Sequence, residues 1–324
     1  EDPERGFLPS TGRLVHLTPP HPSAHVRIDT GVEEGDSITP FYDPMIAKLI
    51  VHDSDRAAAL ARMRAALAGY RIVGVASNVE FLGRLVATRS FATADLDTSL
   101  IEREHAALFP PGAEPDDDVW LVAALAELAR DGAARRHQAL ADAEQGSPWA
   151  LHDGWRLNGR ASRRLAFRFA ESTRHVDATV LAQGGWQLVS GTSTLVATAE
   201  LHGASGVTAT LGGRRLAATV VAQGDRRHVF VGGHVVVLSL LDPLAGERAD
   251  ADEEGAGLLA PMPGKVIALL AEPGAAVDKG TPLLVLEAMK MEHTISAPHA
   301  GTLKAYRFAP GDQVDEGAEL VEFE

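Results

Sequence analysis

The sequence predicts a multidomain chain with α+β and all-β parts. It should hold a strand-and-helix lobe, an antiparallel β-barrel around one long helix, and a duplicated, flattened β-sandwich. Three observations predict this. Residues 260–287 realign on 297–324 without a gap at an offset of 37, with Gly264/Gly301, Pro273/Pro310, Asp278/Asp315 and Leu283/Leu320 among the matched pairs. Such a repeat means two copies of one small unit burying a face against each other. Glycine pairs recur at even spacing between residues 155 and 241, as in a meander of hairpins. The run Trp120-Leu121-Val122-Ala123-Ala124-Leu125-Ala126 is apolar on every helical face, so something must surround it.

Composition narrows the functional class. The 324 residues are 45% hydrophobic and contain no stretch of eighteen apolar residues, which argues against a membrane span. No cysteine is present, which excludes disulfides, thiolate metal sites and a cysteine nucleophile, and suits a cytoplasmic setting. A formal net charge of −14 argues against non-specific nucleic-acid binding. The Arg-rich, Lys-poor usage hints at a bacterial source. The chain opens Glu1-Asp2-Pro3 without an initiator methionine and is read as a fragment.

Residues 1–110 form the first predicted domain. Segments 13–17 and 26–29 and the longer 45–52 are apolar enough for strands. Ser54 is placed to cap a helix running to Ala68, with Leu60, Met63 and Leu67 on one face and Gly69 ending it. Asn78 is placed to cap a second helix bearing Phe81, Leu82, Leu85 and Val86. Asp43 and Lys48 read as turn and strand-edge residues. His16, His21 and His25 lie among prolines and glycines without ligand spacing and read as loop histidines rather than metal ligands.

Residues 111–243 form the second. After Asp116-Asp117-Asp118, which favour a helix N-terminus, residues 119–143 read as one helix. About eight strands follow, with turns at Gly184-Gly185, 203–206, Gly212-Gly213, Gly224-Asp225 and Gly232-Gly233. Closing them into a barrel removes exposed edges and encircles the apolar helix. Trp155 and Arg156 are candidate docking residues; packing at the barrel mouth explains them equally well. Residues 244–256 are acid-rich without apolar periodicity and read as a flexible linker, with an r.m.s. span of about 20 Å.

Residues 257–324 hold the repeat. Each half carries apolar strands (266–270 and 283–286; 303–308 and 320–323) and a Pro-Gly turn, with Val277 and Val314 as the buried residues of the loops that follow. Only residues 288–296 lie between the copies, and Lys290 sits in this bridge within Ala288-Met289-Lys290-Met291. A near-two-fold axis then puts Lys290 and the linker at opposite poles of a body roughly 25–30 Å across. Lysine is scarce, with only Lys48, Lys265, Lys279, Lys290 and Lys304 in the chain. A solvated hairpin tip leaves an ε-amine free to be acylated, and the flanking methionines are adaptable contact residues.

On these residues the segment resembles the biotin carboxyl carrier domain of biotin-dependent carboxylases. The resemblance implies covalent biotin on Lys290, with Ala288, Met289 and Met291 completing the acceptor motif. Lipoyl domains share the duplicated sandwich but place acidic or small residues beside their lysine; a non-catalytic lipoyl-type carrier or scaffold is the alternative. The strings Phe7-Leu8-Pro9-Ser10-Thr11-Gly12, Tyr42-Asp43-Pro44-Met45-Ile46-Ala47-Lys48-Leu49-Ile50 and Ser77-Asn78-Val79 with Phe81-Leu82 resemble the C-terminal lobe of biotin carboxylase. In that family Glu-Asp-Pro follows a segment with a catalytic arginine. The ATP-grasp lobe, with its ATP, Mg2+ or Mn2+ and bicarbonate residues, is therefore expected upstream. No catalytic residue is assigned within these 324, which alone are expected to be inactive.

The helix-in-barrel region resembles the linking domain of acyl-CoA carboxylase α subunits. Ser147-Pro148-Trp149 and Gly154-Trp155-Arg156-Leu157-Asn158 look most like 3-methylcrotonyl-CoA carboxylase, with propionyl-, geranyl- and acetyl-CoA relatives open. This implies a C–C bond-forming ligase working as a large α/β hetero-oligomer. Its partners would be a carboxyltransferase β subunit holding the acyl-CoA and a biotin protein ligase.

Overall fold

The computed structural model describes residues 1–141, 155–157, 159–242, 258–289 and 291–323. They fall into two units, one of residues 1–109 with 248–324 and one of residues 110–247.

In the first unit the N-terminal lobe is built from three two-stranded ladders and two main helices. β1 (Gly12–Arg13) pairs with β4 (Ser37–Ile38), and β2 (His16–Thr18) pairs with β6 (Arg71–Val73). β3 (Val26–Thr30) pairs with β5 (Ala47–Val51). The single strand expected over 13–17 is thus two. The chain changes ladders at Leu14, which is fully buried, while Leu14 N–H goes to Asp36 O and Val15 N–H to Val73 O, both at 2.8 Å. His16 accordingly lies in a strand, not a loop, with Nδ1 3.0 Å from Glu34 Oε2.

Helix α1 (Arg56–Gly69) is capped by Asp55 rather than Ser54, because the Asp55 carboxylate reaches Ala58 N–H at 2.9 Å. Ser54 Oγ instead donates to that carboxylate. Asn78 precedes α2 (Val79–Ala87), but its side chain makes no capping bond. Short helices α3 (Arg89–Ala92), α4 (Leu100–Arg103) and α5 (His105–Leu108) close the lobe. Phe7, Phe81 and Phe109 form an aromatic cluster with centroids 5.0 to 6.4 Å apart, and Ser10 Oγ accepts from Ala76 N–H. Two of the motif strings far apart in sequence therefore pack on each other.

The second unit is a helix inside a barrel. α6 (Asp117–Ala141) carries Val119 to Ala126 at 6% exposure or less, and six of those eight residues, Trp120 among them, are fully buried. Around it runs a closed antiparallel barrel of β9 (Ser162–Phe169), β10 (Ser172–Val180), β11 (Trp186–Ser190), β12 (Ser193–His202), β13 (Gly206–Leu211), β14 (Arg214–Gln223), β15 (Arg226–Val231) and β16 (His234–Leu241). It is preceded by a short hairpin of β7 (Trp155–Arg156) and β8 (Gly159–Arg160).

An eight-stranded barrel has an interior that side chains alone usually fill. A helix about 10 Å across fits here because small residues face each other. Ala123, Ala124 and Ala126 on the helix and Ala178, Ala197, Ala209 and Ala218 on the wall share one core. The acidic helix start is held at the rim: Asp117 pairs with Arg174 of β10, and Asp118 with Arg214 of β14 at 2.6 Å. Deeper inside, Glu127 accepts from Arg227 of β15 at 2.9 and 3.1 Å.

The C-terminal segment is a sandwich of two four-stranded sheets. Its strands are β17 (Leu258–Leu259), β18 (Gly264–Leu269), β19 (Ala276–Val277), β20 (Pro282–Ala288), β21 (Met291–Ser296), β22 (Gly301–Tyr306), β23 (Gln313–Val314) and β24 (Glu319–Phe323). The sheet orders are β17-β24-β22-β19 and β21-β20-β18-β23. Adding 37 to each strand of the first half gives its counterpart in the second, so each sheet maps onto the other. Val277 and Val314 lie in short strands, not loops, and each pairs with the opposite half. Only Val314 is fully buried; Val277 is half-exposed. Tyr306 ties the halves together, its hydroxyl 2.7 Å from Leu283 O and 3.3 Å from Ala271 N.

Candidate functional site

The acceptor motif lies on the hairpin of β20 and β21. Alternation fixes the hairpin on the sandwich: Leu284, Leu286 and Ile295 point into the core with Val266, Leu303 and Leu320. Each such leucine contributes about 2 kcal/mol of burial, so a one-residue register slip is strongly opposed. The ladder runs Leu286↔His293, Glu287↔Glu292 and Ala288↔Met291, leaving a loop of two residues, Met289 and Lys290. Lys290 itself lies outside the described residues.

Met289 has φ +49°. Two-residue hairpin loops need left-handed backbone, a conformation that costs a non-glycine residue about 1 kcal/mol. The two methionines differ: Met289 is buried at 3% exposure, whereas Met291 is 42% exposed. The contact role expected of both is therefore open only to Met291 as an exposed side chain. Ala288 is also buried.

Two features at the hairpin base were not legible as site residues. Gly264 lets β18 approach closely, since a Cβ there would lie 2.8 Å from Glu287 O. The only hint in the sequence is its match to Gly301 in the repeat. The second is a row of charges across three strands, Lys265, Glu287 and Glu292, in which lysine offsets a like-charged pair placed directly opposite each other. His293, next to Glu292 on β21, has its pKa pushed below the ordinary histidine value by burial.

The remaining candidates sit elsewhere. Arg156 is exposed on β7, in register with Gly159, and Trp155 pairs with Arg160. Both belong to the barrel unit, not the unit that holds the hairpin. The strings at 147–149 and at Gly154 and Asn158, and the linker 244–256, lie outside the described residues. Asp43 accepts from Met45 N–H in a tight turn, and Lys48 is exposed on β5 opposite Asp29. Among the described residues no helix is long and apolar enough to cross a membrane.

Three family models match consecutive stretches. Residues 1–103 match the biotin carboxylase C-terminal domain, and residues 116–243 the BT domain of the methylcrotonyl-CoA carboxylase alpha-subunit. Residues 257–323 match the model described as biotin-requiring enzyme. The chain belongs to the biotin-dependent acyl-CoA carboxylase α-subunit family. It is 33% identical over 332 residues to the mitochondrial methylcrotonoyl-CoA carboxylase subunit alpha of Mus musculus, covering 100% of this chain and 46% of that protein. The Dictyostelium discoideum protein of the same name is 32% identical, covering 99% and 47%. The mitochondrial propionyl-CoA carboxylase alpha chain of Sus scrofa is 29% identical, covering 100% and 45%. The chain spans about half the length of the curated relatives it matches. As an α-subunit segment of this family it joins a carboxylase lobe, a BT barrel and a biotinyl sandwich in one chain.

Proposed function

We propose that residues 257–324 are a carrier that takes covalent biotin on Lys290, with Ala288, Met289 and Met291 as the acceptor motif read by a biotin protein ligase. The observation that carries this reading is the two-residue loop between Ala288 and Met291, at the pole of the sandwich opposite Leu258 and Phe323. The ligation joins the lysine ε-nitrogen to the biotin carboxyl carbon as an amide, which requires the deprotonated amine and removes one charge. The exposed carboxylates of Glu287 and Glu292 keep the tip hydrated. When bound, biotin supplies a ureido nitrogen that carries CO2. The sandwich contributes transport: it holds the arm at a fixed point and raises its effective concentration at two active sites.

In the intact enzyme this carrier would serve a biotin carboxylase using ATP, bicarbonate and Mg2+ or Mn2+, and a carboxyltransferase β subunit in a large α/β hetero-oligomer. The acyl-CoA we favour is 3-methylcrotonyl-CoA, supported by the BT-domain match. The helix-in-barrel unit, with Trp155 and Arg156, is its docking module, and 1–110, 111–243, 244–256 and 257–324 are the working divisions. We place the enzyme in the cytoplasm, as its cysteine-free composition suits. These 324 residues alone neither hydrolyse ATP nor carboxylate.

Lys290→Ala tests the reading. The wild-type chain coexpressed with a biotin ligase should gain about 226 Da, and the variant should gain nothing while keeping its fold. A gain of about 188 Da would favour lipoate instead.

A further inference from the structure

The acceptor hairpin is not free of the rest of its unit. Met289 N–H donates to Pro40 O at 2.9 Å, and Arg5 Nη2 donates to Pro261 O at 3.2 Å. We infer that the loop from Pro40 to Met45, together with Arg5, is a receiving surface for this chain's own carrier, and that it recognises the main chain of the hairpin turn. This rests on the reading of 257–324 as a carrier.

The geometry explains why this amide is the one engaged. In a two-residue hairpin the ladder uses the flanking pair, here Ala288 and Met291, and the loop amides face outward. In the whole chain Met289 is buried, and its N–H takes an acceptor from outside the sandwich. Pro40 supplies that acceptor from a residue whose φ is fixed by its ring.

The second contact lies at the same pole. Pro261 is three residues before Gly264, whose Cβ position abuts Glu287 O and Ala288 at the hairpin base. The repeat gives Pro261 a mate in Pro298 at the other pole, whose carbonyl accepts no such bond among the described residues. Docking therefore selects one end of a nearly two-fold body. Beyond Pro40, Phe41, Tyr42 and Met45 remain 68%, 77% and 58% exposed, so the loop continues as an open apolar shelf. An amide-linked hydrocarbon arm is the chemistry such a shelf suits.

The absence of cysteine allows a clean test on the full 324-residue chain. A nitroxide on Phe41→Cys, or on Tyr42→Cys as a second site, should broaden the amide resonances of Glu287, Met289 and Glu292. Arg5→Ala should lower the docked-to-free ratio by about fivefold. Lys290→Ala should leave the broadening unchanged, because the surface reads main chain. Full-intensity hairpin resonances from both labelled sites would overturn the proposal, as would loss of broadening in a folded Lys290→Ala protein. An unmodified Lys290 with broadening intact would instead sink the biotin reading alone.

Discussion

Replacing Glu127 by alanine removes the one carboxylate on the inward-facing part of α6. Its Oε1 and Oε2 accept from Arg227 Nε and Nη2 at 2.9 and 3.1 Å, with both side chains about one-tenth exposed. Arg130 adds a bond at 3.0 Å from a wetter position. Losing two charge-assisted bonds to a buried guanidinium would cost about 3–6 kcal/mol. Arg227 keeps Gly224 O at 2.8 Å and Arg226 O at 3.0 Å, which still satisfy part of its charge. The expected loss is therefore about 3–4 kcal/mol, the lower part of the range for breaking a buried pair. In a unit of this size that lowers Tm by about 10–14 °C.

All four tryptophans, Trp120, Trp149, Trp155 and Trp186, lie in the barrel unit, so fluorescence-detected denaturation of the full chain reports on it alone. Replacing both partners, Glu127→Leu with Arg227→Leu, should return stability to within about 2 kcal/mol of wild type. A loss under about 1 kcal/mol for Glu127→Ala would refute the idea that this pair fixes the helix in the barrel.

Three further outcomes follow from the site and the core. Gly264→Ala drives a Cβ against Glu287 O and should slow ligation at Lys290 by about tenfold or more, read as adduct mass against time; an unchanged rate would show that the hairpin base tolerates the shift. Met289→Leu should be nearly neutral, whereas Met289→Ile, β-branched at φ +49°, should cost about 1–2 kcal/mol by calorimetry. Burial holds His228 and His293 below the ordinary value of 6.5, with Arg226 adding to the effect at His228. Their folded state prefers the neutral ring, so stability is full above pH 6.5 and is lost as pH falls through the lowered folded values. Thermal melts between about pH 7.5 and pH 5 should show this, and His228→Gln should flatten the tryptophan-detected part.

Long-range pattern was more legible than local detail. A helix apolar on all faces had to be encircled, and the glycine pairs marked five of the barrel turns. Two turns escaped: Ala170-Glu171, where alanine takes φ +48°, and Gly191-Thr192, which has a single glycine. The repeat predicted the sandwich and its poles, since an offset of 37 carries every strand onto a partner. It did not reveal that Val277 and Val314 pair across halves, because two-residue strands have no period to read. Asp55 displaced Ser54 as a cap by one residue, a difference that only backbone direction decides. The Met289–Pro40 bond was invisible for a plainer reason: both groups are main chain, and main chain carries no letter.

Carrier function turns on what Lys290 holds in the native protein. Trypsin cuts after unmodified lysine, and residues 280–304 contain only Lys290 and Lys304 as cleavage points. Mass spectrometry of the digest should find 280–304 as one peptide, heavier by about 226 Da. Separate, unmodified 280–290 and 291–304 peptides from active enzyme would contradict it.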